Sequence, residues 1–235
     1  MAKNITTSSN SKNENRSFVN FKNTPIYYTD TSKGSVVVLI HGFLENSTMW
    51  NVIGKELSKK NRVVCIDLPG HGNTPCIGYV HTMELLAESI HIILQQLKIR
   101  RVYLVGHSLG GYVALAFAEK YAQKVKGICL LNSTSNKDSK VREQLRVRAN
   151  KMVQKNLKSM VVLSVSNLFY QENIEKFQEE IETVKREALR TPLQGYIAMQ
   201  EGMKVRKNRN HVLQQNNFKK LLVVGEKDPI LTLET

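Results

Sequence analysis

The chain has 235 residues, 41% of them hydrophobic, and 34 Lys and Arg against 20 Asp and Glu give a formal charge of +14. That length and composition can bury a full core, which marks a globular protein, and no apolar run reaches the length of a membrane-spanning helix. Cys65, Cys76 and Cys129 are scattered and odd in number, and the N-terminus has no apolar signal core, so the expectation is a reducing, cytoplasmic setting without disulfides.

Residues 1–17 are Ser, Thr, Asn and Lys with almost nothing apolar, which predicts a disordered tail. Phe18–Phe21 and Ile26–Thr29 flank Lys22-Asn-Thr-Pro25 and read as an antiparallel hairpin. Ser35–Ile40 is a continuous apolar run, as in strands buried on both faces, and His41-Gly42-Phe43-Leu44 follows it. A helix is expected over Met49–Lys59, a strand over Asn61–Asp67, then the turn-rich Leu68-Pro-Gly-His-Gly-Asn-Thr74. Thr82 reads as the N-cap of a helix with Glu84 in its first turn and Leu86, Ile90, Ile93 and Leu97 on one face.

Val102–Val105 is the next strand, and Gly106-His107-Ser108-Leu109-Gly110 leads from it into a helix over Leu109–Tyr121. A turn this sharp has no room for side chains at its ends, so Gly106 and Gly110 let the backbones pass and Ser108 stands at the tip, before a helix N-terminus that favours negative charge. A turn that only packs would also use glycines here; the strand before and the helix after favour a nucleophile. Lys126–Asn132 is another strand. The alternation predicts an α/β fold with an open, mostly parallel sheet covered on both faces.

From Ser133 to Asn217 that alternation stops. Helices are expected over Lys140–Met152, Leu157–Phe169 (with Met160–Val165 ambiguous), Glu172–Arg190 and Pro192–Met203, with Pro192 at the first helical position. Leu193, Tyr196, Ile197, Met199 and Met203 are pocket candidates or simply core. Lys220–Gly225 returns to the sheet and Glu226-Lys-Asp-Pro229 leaves it. Between Asn136 and Lys220 stand eighteen Lys and Arg and nine Asp and Glu, interleaved on helical patterns with few aromatics. That reads as a solvated basic face rather than a specific nucleic-acid surface, although the field could attract anionic substrates. No His/Cys/Asp/Glu spacing suggests a metal, and no cofactor motif is present. Oligomeric state is open.

The motifs His41-Gly42-Phe43, Asp67-Leu-Pro-Gly-His-Gly72, Gly106-His-Ser-Leu-Gly-Gly111 and Gly225-Glu-Lys-Asp-Pro229, each after a strand, resemble the α/β-hydrolase-fold family over about Phe18–Pro229. The resemblance implies a core over 18–132, a helical cap over 133–217 and a return to the core at 218–235. It implies Ser108 as nucleophile, the N–H groups of Phe43 and Leu109 as oxyanion hole, and Asp228 as the carboxylate that orients a base. An Asp before Pro is also common in turns. His41, Gly42, Gly106, His107 and Gly110 would support the site, with His41 shaping its loop and His71 ordering its own. His81, His91 and His211 are expected to pack or lie at the surface. In the family a histidine follows the acid; here none follows Asp228, and the final strand and helix of the fold are expected to be missing, with loss of activity and an exposed sheet edge.

The implied function is a serine hydrolase acting on a small ester or related acyl substrate, without membrane or specific nucleic-acid partners. The alternatives are a non-catalytic binding or decayed relative, and a carbon–carbon hydrolase or lyase of the same fold.

Overall fold

Two residues with left-handed backbone, Lys22 (φ 50°) and Asn23 (φ 61°), close the first hairpin. They join β1 (Arg16–Phe21) to β2 (Thr24–Thr31), with Phe21 opposite Thr24. A two-residue turn with both φ positive matches the twist of the strands it joins. The turn is thus shorter than the sequence suggests, and Pro25 lies inside β2, ahead of Tyr28, where β2 begins to pair with β4. The structure, a computed structural model, describes residues 16–31 and 33–229. The expected polar tail falls mainly in residues 1–15, which lie outside the described residues, but Arg16 and Ser17 belong to β1.

Five parallel strands continue the sheet: β3 (Ser35–Ile40), β4 (Asn61–Ile66), β5 (Val102–His107), β6 (Val125–Leu131) and β7 (Lys219–Val223). The order is β1-β2-β4-β3-β5-β6-β7, with β1 and β2 antiparallel. Alternate residues of β3 and β4 serve opposite faces. Val38, Ile40, Val64 and Ile66 pack with α2 (Met83–Gln96) and α3 (Leu109–Lys120), whereas Val37, Leu39, Val63 and Cys65 meet Trp50, just before α1 (Asn51–Ser58). Burial on both faces is why these strands read as unbroken apolar runs, and each fully buried Ile or Leu contributes about 1.5–3 kcal/mol. α2 starts at Thr82, whose Oγ1 accepts from Leu85 N–H at 3.2 Å.

Between β6 and β7 lie α4 (Lys140–Val153), α5 (Leu157–Ser166), α6 (Gln178–Ala188), α7 (Leu193–Lys204) and α8 (Asn210–Gln215). The ambiguous Met160–Val165 run is helical; Asn156 caps α5 by accepting from Ser159 N–H at 2.9 Å. The expected helix from Glu172 starts only at Gln178, because residues 171–173 and 175–180 are exposed and offer no apolar face to pack. Pro192 is the cap of α7, not its first helical residue: proline fixes φ, but ψ here is 157°, extended. α8 was not expected, since only Val212 of it is buried.

Arg209, 1% exposed, anchors the return to the sheet by donating to Glu119 of α3 at 3.0 Å and Glu84 of α2 at 2.6 Å. β7 pairs with β6 and is exposed along its whole length; among the described residues no strand pairs with its other side.

Candidate active site

β4 and β5, the next two strands in sequence after β3, lie on opposite sides of it. Such a reversal opens a crevice at the C-terminal strand ends, and the loops after β3 and β5 both emerge there. Ser108 bridges β5 and α3 with φ 48° and ψ −113°, a conformation side chains rarely adopt, at a cost of about 1–3 kcal/mol. Its N–H donates to Leu131 O at 2.9 Å and its carbonyl accepts from Ser133 Oγ at 2.7 Å, so β6 and the residues after it hold the strain in place. Its hydroxyl makes no capping bond to α3 and is half-exposed. A Cβ on Gly106 would strike the Gly110 backbone, and one on Gly110 would strike the carbonyls of Ile40 and His41.

The loop after β3 is built on His41, fully buried. Leu68 N–H donates to its Nε2 at 3.0 Å, which leaves Nδ1–H to donate to Gly42 O at 2.7 Å. Burial pushes the His41 pKa down, consistent with a neutral ring used as scaffold. His71 ties the next loop on: Leu44 N–H donates to its Nε2 at 3.2 Å. Phe43 packs edge-on against Tyr196 of α7, with ring centres 5.0 Å apart. Among the described residues, neither Phe43 N–H nor Leu109 N–H meets a protein acceptor.

Glu45 had no assigned role in the sequence. Its Oε2 accepts from Gly42 N–H at 2.5 Å and from His107 Nδ1 at 2.9 Å. Gly42 leaves the space: a Cβ there would stand 2.6 Å from Glu45 Oε2 and 2.9 Å from His107 Nδ1. Burial raises the Glu45 pKa, but the charge and hydrogen bond of His107 and the Gly42 N–H outweigh it, and the net shift is downward. For His107 burial lowers the pKa, the Glu45 charge and hydrogen bond and the charge of Asp228 outweigh it, and the net shift is upward. The two form a hydrogen-bonded pair beside Ser108, and each favours the charged form of the other.

A cleft of about 400 Å³ opens over these groups. Phe43, Glu45, His107, Ser108, Tyr112 and Asp228 are among the residues on its core side, and α4, α5 and α7 supply other parts of its wall. The Asp228 loop is tied to the end of β6: Asn132 N–H donates to Val223 O at 2.8 Å, and Gly225 N–H donates to Asn132 Oδ1 at 3.0 Å. Of the α7 candidates, Tyr196 and Met203 line the cleft, Met199 belongs to the core beneath, and Ile197 packs with the α4–α6 cluster. Arg142, Arg146 and Gln200 also line it; the two arginines belong to the basic residues the sequence reading took for solvated surface.

His71 and His81 are buried, which pulls their pKa values down to about 3 and about 4. His91 stacks on Tyr121, and His211 meets Glu119 at 3.1 Å; none of the four lines the cleft. Among the described residues no group of three or more His, Cys, Asp or Glu is placed to hold a metal, and no helix is long and apolar enough to cross a membrane.

Comparison with known proteins agrees with this architecture. An uncharacterised protein of Mycobacterium tuberculosis is 37% identical over 100 residues, 43% of this chain and 29% of that protein. A pimeloyl-[acyl-carrier protein] methyl ester esterase of Aeromonas hydrophila is 34% identical over 103 residues, 43% of this chain and 39% of its own length. The matches thus span well under half of these curated relatives. A thermophilic esterase from Thermogutta terrifontis superposes with a TM-score of 0.87 at 29% identity, over 93% of this chain and 83% of that one. Residues 35–235 match the sequence profile of the alpha/beta hydrolase fold. The chain belongs to the alpha/beta hydrolase fold family.

Proposed function

We propose that the protein is a serine hydrolase that cleaves a small ester or related acyl substrate through an acyl-enzyme on Ser108. The observation that carries this reading is the strained Ser108, φ 48°, lining the cleft, near the N–H groups of Phe43 and Leu109, which meet no protein acceptor among the described residues. Strain of this kind persists where the surroundings enforce it, and it clusters at reacting groups. The esterase names of the Thermogutta and Aeromonas proteins support an ester as substrate.

The Ser108 hydroxyl adds to the ester carbonyl, and the negative charge that develops on its oxygen is met by the Phe43 and Leu109 N–H groups. The alcohol leaves with a proton, and water then cleaves the acyl-serine to release the acid. A base must take the Ser108 proton in the first step and that of water in the second. Asp228 is the carboxylate that would orient it. Glu45 accepts a hydrogen bond from His107 Nδ1 and raises its pKa, which favours the charged ring and so positive charge beside the nucleophile. Oxyanion donors and binding without a base still leave roughly 10³–10⁴-fold acceleration over water.

The test is to mix the protein with p-nitrophenyl butyrate, quench in acid and map the butyryl group by peptide mass. A butyryl group on Ser108, absent from Ser108→Ala, supports the reading. Nitrophenol release that is the same in both proteins, with no adduct, overturns it and leaves a binding role for the cleft.

A further inference from the structure

At the edge of the sheet opposite Ser108, where the parallel strands begin, lies a second groove of about 370 Å³. Lys98, Arg100 and Arg101 of the α2–β5 turn line it, with Arg62 near the start of β4 and Lys126 near the start of β6. Among the described residues no Asp or Glu lines it. The turn is pinned to α2: Lys98 N–H donates to Gln95 O at 3.0 Å, Ile99 N–H donates to Leu94 O at 2.8 Å, and Ile99 is buried. Lys98 has φ 53°, at a helix end where glycine is the usual residue. The backbone that carries these cations is therefore fixed before any ligand arrives.

Arg62 is neutralised by Asp30, whose carboxylate accepts from Nε at 2.8 Å and from Nη2 at 2.6 Å. Lys126 Nζ lies 5.8 Å from the centre of the Tyr103 ring, a contact that leaves its charge in place. Among the described residues Lys98, Arg100 and Arg101 meet no acid. Beyond the Arg62–Asp30 pair the groove thus carries the charges of Lys98, Arg100, Arg101 and Lys126. The C-terminal end of α2 returns about half a negative charge. That end accounts for a lysine at 98. Strands carry little net dipole, so nothing similar offsets Arg101 and Lys126 at the strand starts. Like charges gathered in one concavity repel one another and concentrate anions there.

We infer that this groove binds a diphosphate group. A single phosphate brings roughly 1.5–2 negative charges near neutral pH and two linked phosphates about 3, close to the sum in the groove. The guanidiniums of Arg100 and Arg101 suit phosphate oxygens through paired N–H groups, and the two lysines act as point charges. The groove binds whatever the chemistry at Ser108, which lies beyond the far end of β5.

The test is calorimetric titration of the full chain with pyrophosphate, orthophosphate, ADP and AMP in about 0.15 M KCl, where a diffuse surface field is screened beyond about 8 Å. One pyrophosphate per chain is expected, bound about tenfold or more tightly than orthophosphate. Arg100→Gln and Arg101→Gln are each expected to weaken it about threefold or more without lowering the melting point, since both side chains are exposed. Lys155→Gln, at an exposed position between α4 and α5, removes the same charge elsewhere and is expected to leave binding unchanged. ADP bound as tightly as pyrophosphate, with AMP weaker, supports the site and identifies a nucleotide as the carrier. Pyrophosphate bound without ADP supports it and identifies free diphosphate. Equal binding of pyrophosphate and orthophosphate, no pyrophosphate binding up to about 5 mM, unchanged binding by both arginine variants, or an equal loss in Lys155→Gln overturns the inference.

Discussion

Glu45 meets His107 at 2.9 Å through the same Oε2 that accepts the Gly42 N–H, so one carboxylate oxygen joins the loop after β3 to the residue before Ser108. Glu45→Gln keeps the shape and removes the charge. Burial is then opposed only by the charge of Asp228, and the His107 pKa, now above the usual 6.5, is expected to fall in an imidazole NMR titration. The raised His107 adds stability that is complete below about pH 6.5 and lost as pH climbs through its folded value. The depressed Glu45 adds stability present above about pH 4.5 and lost as pH drops through its folded value. The gap between wild type and Glu45→Gln in urea midpoint is therefore widest between about pH 4.5 and 6.5, at about 1–3 kcal/mol, and closes at higher pH.

The strain at Ser108 resides in a Cβ at φ 48°. Ser108→Gly removes the Cβ and is expected to raise stability by about 1 kcal/mol or more. Ser108→Ala keeps it and gains nothing. Thermal melts of the three proteins check the order, and a destabilised Ser108→Gly contradicts the strain.

Gly110→Ala drives a Cβ into the carbonyls of Ile40 and His41, backbone that cannot turn aside, and is expected to cost more than about 3 kcal/mol. Gly78→Ala meets nothing within 4 Å and pays only for φ +76°, about 1–2 kcal/mol. Urea midpoints of the two variants separate close approach from backbone conformation.

His71 and His81 stay neutral in the fold down to about pH 3 and about pH 4, whereas in the unfolded chain they gain protons near pH 6.5. The unfolded state binds more protons across that interval, so stability falls as pH is lowered from about 6.5. The depressed Glu45 and Asp67 add to the loss only below about pH 4.5. His71→Gln is expected to flatten the slope between about pH 6.5 and 4.5, measured by urea denaturation at stepped pH.

The parts legible in the sequence are those fixed by neighbours along the chain. β3 and β5 are apolar because both their faces are covered, and the glycines of the elbow stand beside the serine they serve. Glu45 was illegible because its partner is 62 residues away, and a lone acid in a loop carries no local pattern. Its position three residues after Gly42, whose N–H it accepts, was the available signal. Arg142 and Arg146 sit in a helix so rich in Lys and Arg that the turn facing the cleft looks like its solvated side. Met160–Val165 could not be assigned because strands and buried helices share such runs; the capping Asn156 just before α5 was the clue. Pro192 misled because proline constrains φ while ψ decides whether a helix has begun.

The central claim is that Ser108 is the nucleophile of the cleft. The most direct measurement is intact-mass analysis after treatment with a fluorophosphonate, with tandem mass spectra to find the modified residue, on wild type and Ser108→Ala. The account predicts a single adduct on Ser108 in the wild type and none in the variant. An unmodified wild type, or equal modification of both proteins, contradicts it.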